Sequence, residues 1–217
     1  MRTLKQCYNK LRLDENQIYE MLLFHYKNEV ARFNPQMQDM NELASVAKWL
    51  NMANTKPWLI IYGKIGNGKS TTAVAIRTLY HALLNSVKSV YTDPCHPDNQ
   101  LHSIILESIA ALRVPYMISA QELCEICIRS QEEYEKYKNY RFLIIDDVGI
   151  EPYKIMRFGT EICPIEDVLY QRYASGQMTI LTTNLDTKQL YSRYGDRVAN
   201  RLKQFASRIG YNAESYR

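Results

Sequence analysis

The stretch Gly63-Lys64-Ile65-Gly66-Asn67-Gly68-Lys69-Ser70 has residue types and a spacing, G-x-x-x-x-G-K-[ST], that suit one task, holding the phosphates of a nucleotide. Glycines let the backbone turn its N–H groups toward phosphate oxygens, and a helix that starts where the loop ends adds the positive end of its dipole. Lys69 has the reach to touch the β- and γ-phosphates. The Ser70 hydroxyl is the ligand type that Mg²⁺ takes at this place, and Thr71 completes the binding set. Two acids, Asp146 and Asp147, end the apolar run Arg141-Phe142-Leu143-Ile144-Ile145. A charge at the C-terminal end of a buried parallel strand needs a reason, and Mg²⁺ supplies one. In that pairing Asp146 is the metal-side carboxylate, and Asp147 orients and polarises an attacking water. A third run, Met178 to Thr183, ends on the amide of Asn184. Arg197 and Arg201 follow, four apart and so on one helical face. The chemistry these types imply is binding of a nucleoside triphosphate with Mg²⁺ and attack of water on its terminal phosphate.

The elements that must position these groups can be read around them. Trp58 to Tyr62 is a short apolar strand, and Thr71 to Leu84 is a helix, so the loop sits between strand and helix. Ser89 to Thr92 reads as a short strand, residues 93–98 as turns, and Leu101 to Leu112 as a helix. Val114 to Ile118 reads as a strand. Ser119, with Glu122 three residues on, caps a long helix that continues to Tyr137 with Leu123, Ile126, Cys127 and Tyr134 inward. Pro164 is a good first helical residue and Gly176 a good stop. Asp186 with Gln189 opens a short helix, and a last helix carries Arg197, Val198, Arg201, Leu202 and Phe205. Upstream, residues 1–13 read as a loose arm or short helix. Asp14 with Gln17 is a capping box before the stripe Ile18, Leu22, Tyr26, Val30 and Phe33, which Asn34-Pro35 ends. Asp39 with Glu42 opens a second helix with Met40, Leu43, Val46, Ala47 and Leu50 inward. The expected division is a helical N-terminal segment, 1–37, whose first helix forms a small partner-binding appendage, and a nucleotide domain, 38–217.

Several machines use a phosphate loop. The base-reading N-K-x-D of GTPases is absent from the sequence. Ser175-Gly176-Gln177 follows the acidic strand, the wrong side for a transporter ATPase signature. No arginine-rich lid marks a small-molecule kinase. With strand-end polarity at Asp146-Asp147 and Asn184, then Tyr194-Gly195-Asp196-Arg197-Val198-Ala199-Asn200-Arg201-Leu202 and the terminal Ser215-Tyr216-Arg217, residues 56–217 resemble the AAA+ ATPases of the DnaC helicase-loader and IstB transposition-helper group. The resemblance implies an α/β fold, a P-loop NTPase of AAA+ type with a parallel sheet flanked by helices and no large C-terminal lid. It implies ATP and Mg²⁺ as cofactors, with slow, assembly-dependent hydrolysis. It implies Asn184 as the sensor-1 residue, Arg201 as the arginine finger with Arg197 as runner-up, and Arg217 as the sensor-2 arginine. The implied partners are a replicative DNA helicase, single-stranded DNA and further copies of the chain in a nucleotide-dependent homo-oligomer. The alternatives are an IstB-like helper on duplex DNA and a nucleotide-dependent interaction protein with negligible hydrolysis. The latter stays open because Asp147 stands where AAA+ proteins usually carry Glu. The N-terminal segment and the extra chain near residues 86–113 match no part of that pattern.

The bulk properties agree with such a protein. The 217 residues are 46% hydrophobic and 23% charged with a net charge of +4, which permits polyanion binding without requiring it. Lys188 to Arg217 holds seven Lys/Arg against two acids, Asp196 and Glu214, a basic stretch suited to nucleic acid, a neighbouring subunit or nucleotide. No apolar run approaches the ~18 residues of a membrane span, and Met1 to Gln6 has no hydrophobic signal core. With five scattered cysteines, these features predict a cytoplasmic protein with no membrane contact. Cys124 and Cys127 form a C-x-x-C, with Cys95, His96 and His102 upstream, but they fall within a helical stripe and read as small buried hydrophobes rather than zinc ligands. The seventeen tyrosines mostly occupy helix positions where packing explains them.

Overall fold

Alternate residues of a strand face opposite ways, and here both faces are apolar. In β1 (Trp58–Gly63), Leu59 and Ile61 enter one apolar cluster while Trp58 and Ile60 enter another. The same split runs through β3 (Phe142–Asp146), where Phe142 and Ile144 oppose Leu143 and Ile145. A sheet apolar on both faces must be covered on both, the signature of a parallel α/β sheet. The computed structural model describes residues 10–30, 40–51, 54, 56–91 (backbone only for 87–91) and 112–211. Its five-stranded sheet has the order β2-β3-β6-β1-β7, with β2 Tyr116–Ser119, β6 Met178–Thr183 and β7 Ala206–Tyr211, and every pairing is parallel.

Helices α1 (Glu15–Glu29), α2 (Met40–Leu50) and α3 (Lys69–Tyr91) cover one face. Helices α4 (Ala120–Arg129), α5 (Gln131–Asn139), α6 (Pro164–Ser175) and α7 (Thr187–Phe205) cover the other. A small antiparallel hairpin, β4 (Ile155–Arg157) with β5 (Thr160–Ile162), stands between β3 and α6. No described helix is long and apolar enough to cross a membrane.

Several expectations change against this frame. The first helix is not set apart: Ile18, Leu22 and Tyr26 of α1 share one buried cluster with α2, α3 and the sheet. Lys10 to Leu13 is no loose arm, because Leu11 N donates to Leu50 O at 2.8 Å and Asn51 Nδ2 to Leu13 O at 2.7 Å. Ser89 to Tyr91 continues α3 rather than forming a strand. The long helix after Ser119 breaks at Ser130, whose extended backbone (φ −148°) ends α4 and whose hydroxyl caps α5 by accepting from Glu133 N. Each capping serine thus opens its own helix. The hairpin β4–β5 and the strand β7 were not anticipated. The expected caps at Asp14, Ser119 and Asp186 form, as do Pro164 at the start of α6 and left-handed Gly176 at its end. Phe33, Asn34-Pro35, Asp39 and the helix expected at 101–112, Leu112 apart, lie outside the described residues.

Candidate functional site

Because the sheet is parallel, β1, β3, β6 and β7 all end on one edge, where open α/β sheets bind ligands. β1 ends at Gly63 and the loop to α3 begins there. Gly66 (φ 88°) and Gly68 (φ 86°) take backbone conformations that side chains rarely adopt, and they turn the chain into the first turn of α3. The loop is held from beneath by β7. Asn67 is buried and donates from Nδ2 to Tyr211 O at 2.8 Å. Thr72 accepts or donates at 2.7 Å to the Tyr211 hydroxyl and bonds Gly68 O at 3.0 Å. Gly63 lies so close to the same strand that a Cβ there would sit 2.2 Å from Tyr211 O. Thus Asn67, predicted to bind nucleotide, spends its amide nitrogen on β7, while its Oδ1 is buried with no hydrogen-bond partner.

Lys69 is buried and donates to Lys64 O at 2.6 Å, within its own loop. Burial lowers its proton affinity below the usual lysine value, while Asp147 and, less strongly, Asp146 oppose that shift. The loop lysine and the acid pair therefore share one electrostatic environment. A phosphate oxygen is a stronger acceptor for this ammonium than a neutral carbonyl. Ser70 and Thr71 occupy the first turn of α3, both half-buried.

The acid pair is tied to the neighbouring strand. Thr182 donates its hydroxyl to Asp146 Oδ1, and the same Oγ1 accepts from Asp147 N at 2.9 Å. Val148 N donates to Thr182 O at 2.8 Å, and the Thr183 hydroxyl donates to Val148 O. Asp147 has a left-handed backbone (φ 55°), which turns the chain directly after the strand. Asn184 follows β6 immediately, between Thr183 and Leu185, whose N–H bonds Thr183 Oγ1 at 3.1 Å. The loop Gly63–Thr71, Asp146, Asp147 and Asn184 are thus gathered at one sheet edge.

The arginines stand apart. Helix α7 breaks at Gly195 (φ 71°, ψ 174°), and Arg197 and Arg201 lie beyond the break. They line a cleft of about 370 Å³ with Glu161, Cys163, Glu166 and Tyr170. The Arg201 guanidinium lies 4.1 Å from the Tyr170 ring centre and 5.0 Å from that of Tyr173, and Nη1 donates to Arg197 O at 3.2 Å. Arg217 lies outside the described residues.

The donor set fits a magnesium nucleotide: a glycine loop at a helix start, a buried lysine, a first-turn hydroxyl and a strand-end carboxylate held by a threonine. No protein-family model matches the chain, and no curated protein does. Solved structures do. DnaI superposes with a TM-score of 0.51 over 93% of this chain and 96% of its own, at 18% identity. The chain has the AAA+ P-loop fold. The DnaC helicase loader (TM-score 0.45, 17% identity, 96% of each chain) and a primosome component from Streptococcus pyogenes serotype M3 (TM-score 0.44, 15% identity, 96% of this chain and 88% of that one) are also similar.

Within this AAA+ fold, several residues matter that the sequence did not single out. Tyr211 supports the phosphate loop from a strand whose alternation is too weak to read. Thr182 organises both acids, and its signal was a threonine at the end of a buried strand. Glu151 is buried after the acid strand. Its carboxylate accepts from Gly149 N at 2.7 Å, from the Tyr194 hydroxyl and from Arg193. Cys124 and Cys127 are buried free thiols; burial pushes Cys124 up to about 12. The described residues include no cluster of three potential metal ligands, while Cys95, His96 and His102 fall outside them.

Proposed function

We propose that the chain is a Mg²⁺-dependent ATPase that works as a DnaC-like helicase loader on a ring helicase and single-stranded DNA. The observation that carries the ATPase reading is the gathering of the phosphate loop with its buried Lys69, the threonine-held Asp146, Asp147 and Asn184 at one edge of the parallel sheet. In this reading Gly63 to Thr71 hold the phosphates and Lys69 leaves the Lys64 carbonyl for a phosphate oxygen. Ser70 and Asp146 hold Mg²⁺, which neutralises phosphate charge. Asp147 and Asn184 position water. Asp147 is one methylene shorter than glutamate, which agrees with slow turnover.

Arg197 and Arg201 line a cleft that includes no residue of the phosphate loop, and in this reading one of them serves the nucleotide of a neighbouring copy. An arginine supplied in trans is worth on the order of 10³–10⁵ in rate. The loader assignment rests on the order of the motifs along the chain and agrees with the DnaI-like fold. The test is to mix the protein with the replicative helicase of its own source, MgATP present, and measure the mass of any complex. A stoichiometric complex that weakens with ADP supports loading. No complex, with binding to duplex DNA instead, overturns it in favour of a transposition helper. Arg201→Ala should keep ATP affinity and lose the turnover that rises with protein concentration.

A further inference from the structure

The segment after the acid strand is stitched to α7 by one buried carboxylate. Glu151 is 2% exposed and every oxygen it has is used. Oε2 accepts from Gly149 N at 2.7 Å, folding the loop back on itself. Oε1 accepts from the Tyr194 hydroxyl and from Arg193 Nη2 at 3.3 Å, and the Glu151 backbone carbonyl accepts from Arg193 Nη2 as well. Upstream, the same loop is bonded to β6 through Asp147 N, Val148 N and Val148 O. Downstream, Tyr194 is the last residue before the break at Gly195, and Arg197 and Arg201 begin beyond it. Hydrogen bonds to β6 at one end and to α7 at the other, joined by the short backbone 147–151, therefore lead from Asp146 and Asp147, through Glu151, to the point about which the arginine-bearing half of α7 is hinged.

The cost of this arrangement argues for a role. Burying a carboxylate is expensive unless it is paired and fully hydrogen-bonded, and a backbone N–H, a hydroxyl and a guanidinium cooperate here to achieve that. The free energy goes into joining two segments that the sheet alone leaves unconnected. A packed apolar contact would join them with less loss, but it would not carry the direction that a carboxylate held by a loop N–H on one oxygen and by α7 on the other does.

We infer that Glu151 is a positioning residue: it transmits the arrangement of the acid-bearing strand end to the segment 196–205, so that filling the nucleotide site sets where Arg197 and Arg201 stand. The inference deepens the ATPase reading and rests on its view that these arginines act on a neighbouring copy.

The test follows amide hydrogen exchange of the full chain, at a protein concentration where it is monomeric, with and without MgATP. In the wild type MgATP slows exchange both in the phosphate loop and in 196–205. In Glu151→Gln the loop stays protected by MgATP while protection of 196–205 falls by about fivefold or more, the size of an ordinary intersite coupling. Tyr194→Phe, which removes one hydroxyl and keeps the ring, gives a smaller loss of the same kind and guards against misfolding of the first variant. A merely structural role would weaken loop and helix protection together. Equal MgATP protection of 196–205 in wild type and Glu151→Gln overturns the inference, as does a wild type whose response stops at the loop. Turnover against protein concentration is measured alongside. If it does not rise in the wild type, the trans-arginine reading fails, whereas the exchange result still decides the role of Glu151. If MgATP protects nothing, the ATP-site reading fails and the inference with it.

Discussion

Gly63→Ala is the substitution that most directly probes how the sheet supports the phosphate loop. Gly63 pairs in register with Tyr211, has φ 151°, and a Cβ there would meet the Tyr211 carbonyl oxygen at 2.2 Å. The obstacle is backbone, which cannot swing aside as a flexible side chain can. Restoring ordinary van der Waals separation moves the end of β7 by about 1 Å. That shift costs the 2.8 Å bond from Asn67 Nδ2 to Tyr211 O. A buried amide left unpaired costs about 1–3 kcal/mol, and residual strain adds about 1 kcal/mol. The sum, roughly 2–4 kcal/mol, corresponds to a fall in Tm of about 4–16 °C for a domain of this size.

The functional consequence is separate from the stability loss. With Asn67 unanchored, the loop conformation that receives phosphate is less populated, so ATP binds about 5–30-fold more weakly. The assay is thermal unfolding together with titration of a fluorescent ATP analogue below the new Tm. Gly176→Ala is the control. It also has positive φ (67°), but nothing lies within 4 Å of its Cβ, so it carries only the left-handed penalty of about 1–2 kcal/mol. If Gly63→Ala is no worse than Gly176→Ala and binds ATP normally, β7 is not the support of the loop and the reasoning fails.

Arg172 is fully buried and donates to Thr179 Oγ1, Tyr137 O, Tyr140 O, Gln177 Oε1 and Met178 O, joining α5, α6 and β6. Arg172→Met should cost about 3–5 kcal/mol in urea denaturation, since it removes bonds to the buried Met178 O and Thr179 Oγ1 and to two half-buried carbonyls; a near-neutral result would mean that the burial cost of the guanidinium cancels its bonds. The Cys124 thiol is raised from 9.0 to about 12, chiefly by burial, and so stays neutral in the fold after it ionises in the unfolded chain. Its contribution is whole below pH 9 and is lost as the pH rises from 9 to 12. Unfolding free energies of the wild type should therefore fall with pH more steeply than those of Cys124→Ala over that window, and parallel curves would refute the assignment. Phe158 sits at the hairpin tip with φ 48° and 93% exposure. Phe158→Asn loses almost no burial, gives up only an exposed contact with the Arg157 guanidinium and suits the left-handed backbone, so it should raise stability by about 0.5–1 kcal/mol, read as a small rise in Tm.

What the sequence made legible was local. The phosphate loop, the caps at Asp14, Ser119 and Asp186, and the buried strands before Asp146 and Asn184 each announce themselves within a few residues, because glycines, capping side chains and continuous apolar runs act over short distances. The strand β7 did not, since Ala206-Ser207-Arg208-Ile209-Gly210-Tyr211 follows a helix without a turn signal and gains its structure only by pairing with β1. The break at Ser130 was hidden because the apolar stripe continues across it from Ile126 and Cys127 to Tyr134. The first helix looked separable because a helical stripe does not say what it packs against.

The same limit explains the site. Lys69 and Ser70 can be proposed from the spacing of the glycine-rich loop, and Asp146 and Asn184 from polar types at the ends of apolar strands. The residues that hold them cannot. Tyr211 lies 144 positions from Asn67 and 139 from Thr72, Thr182 lies 36 from Asp146, and Tyr194 lies 43 from Glu151. The first three pairs meet because parallel strands return to one edge, and the fourth because α7 lies over the loop after β3. An acid beside a proline, as Glu151 is beside Pro152, reads as surface loop until α7 is laid over it. The chemistry proposed for this site is thus written in short motifs, while its mechanical connections are written in the topology, and it is at those connections that substitution should separate nucleotide binding from what nucleotide binding does.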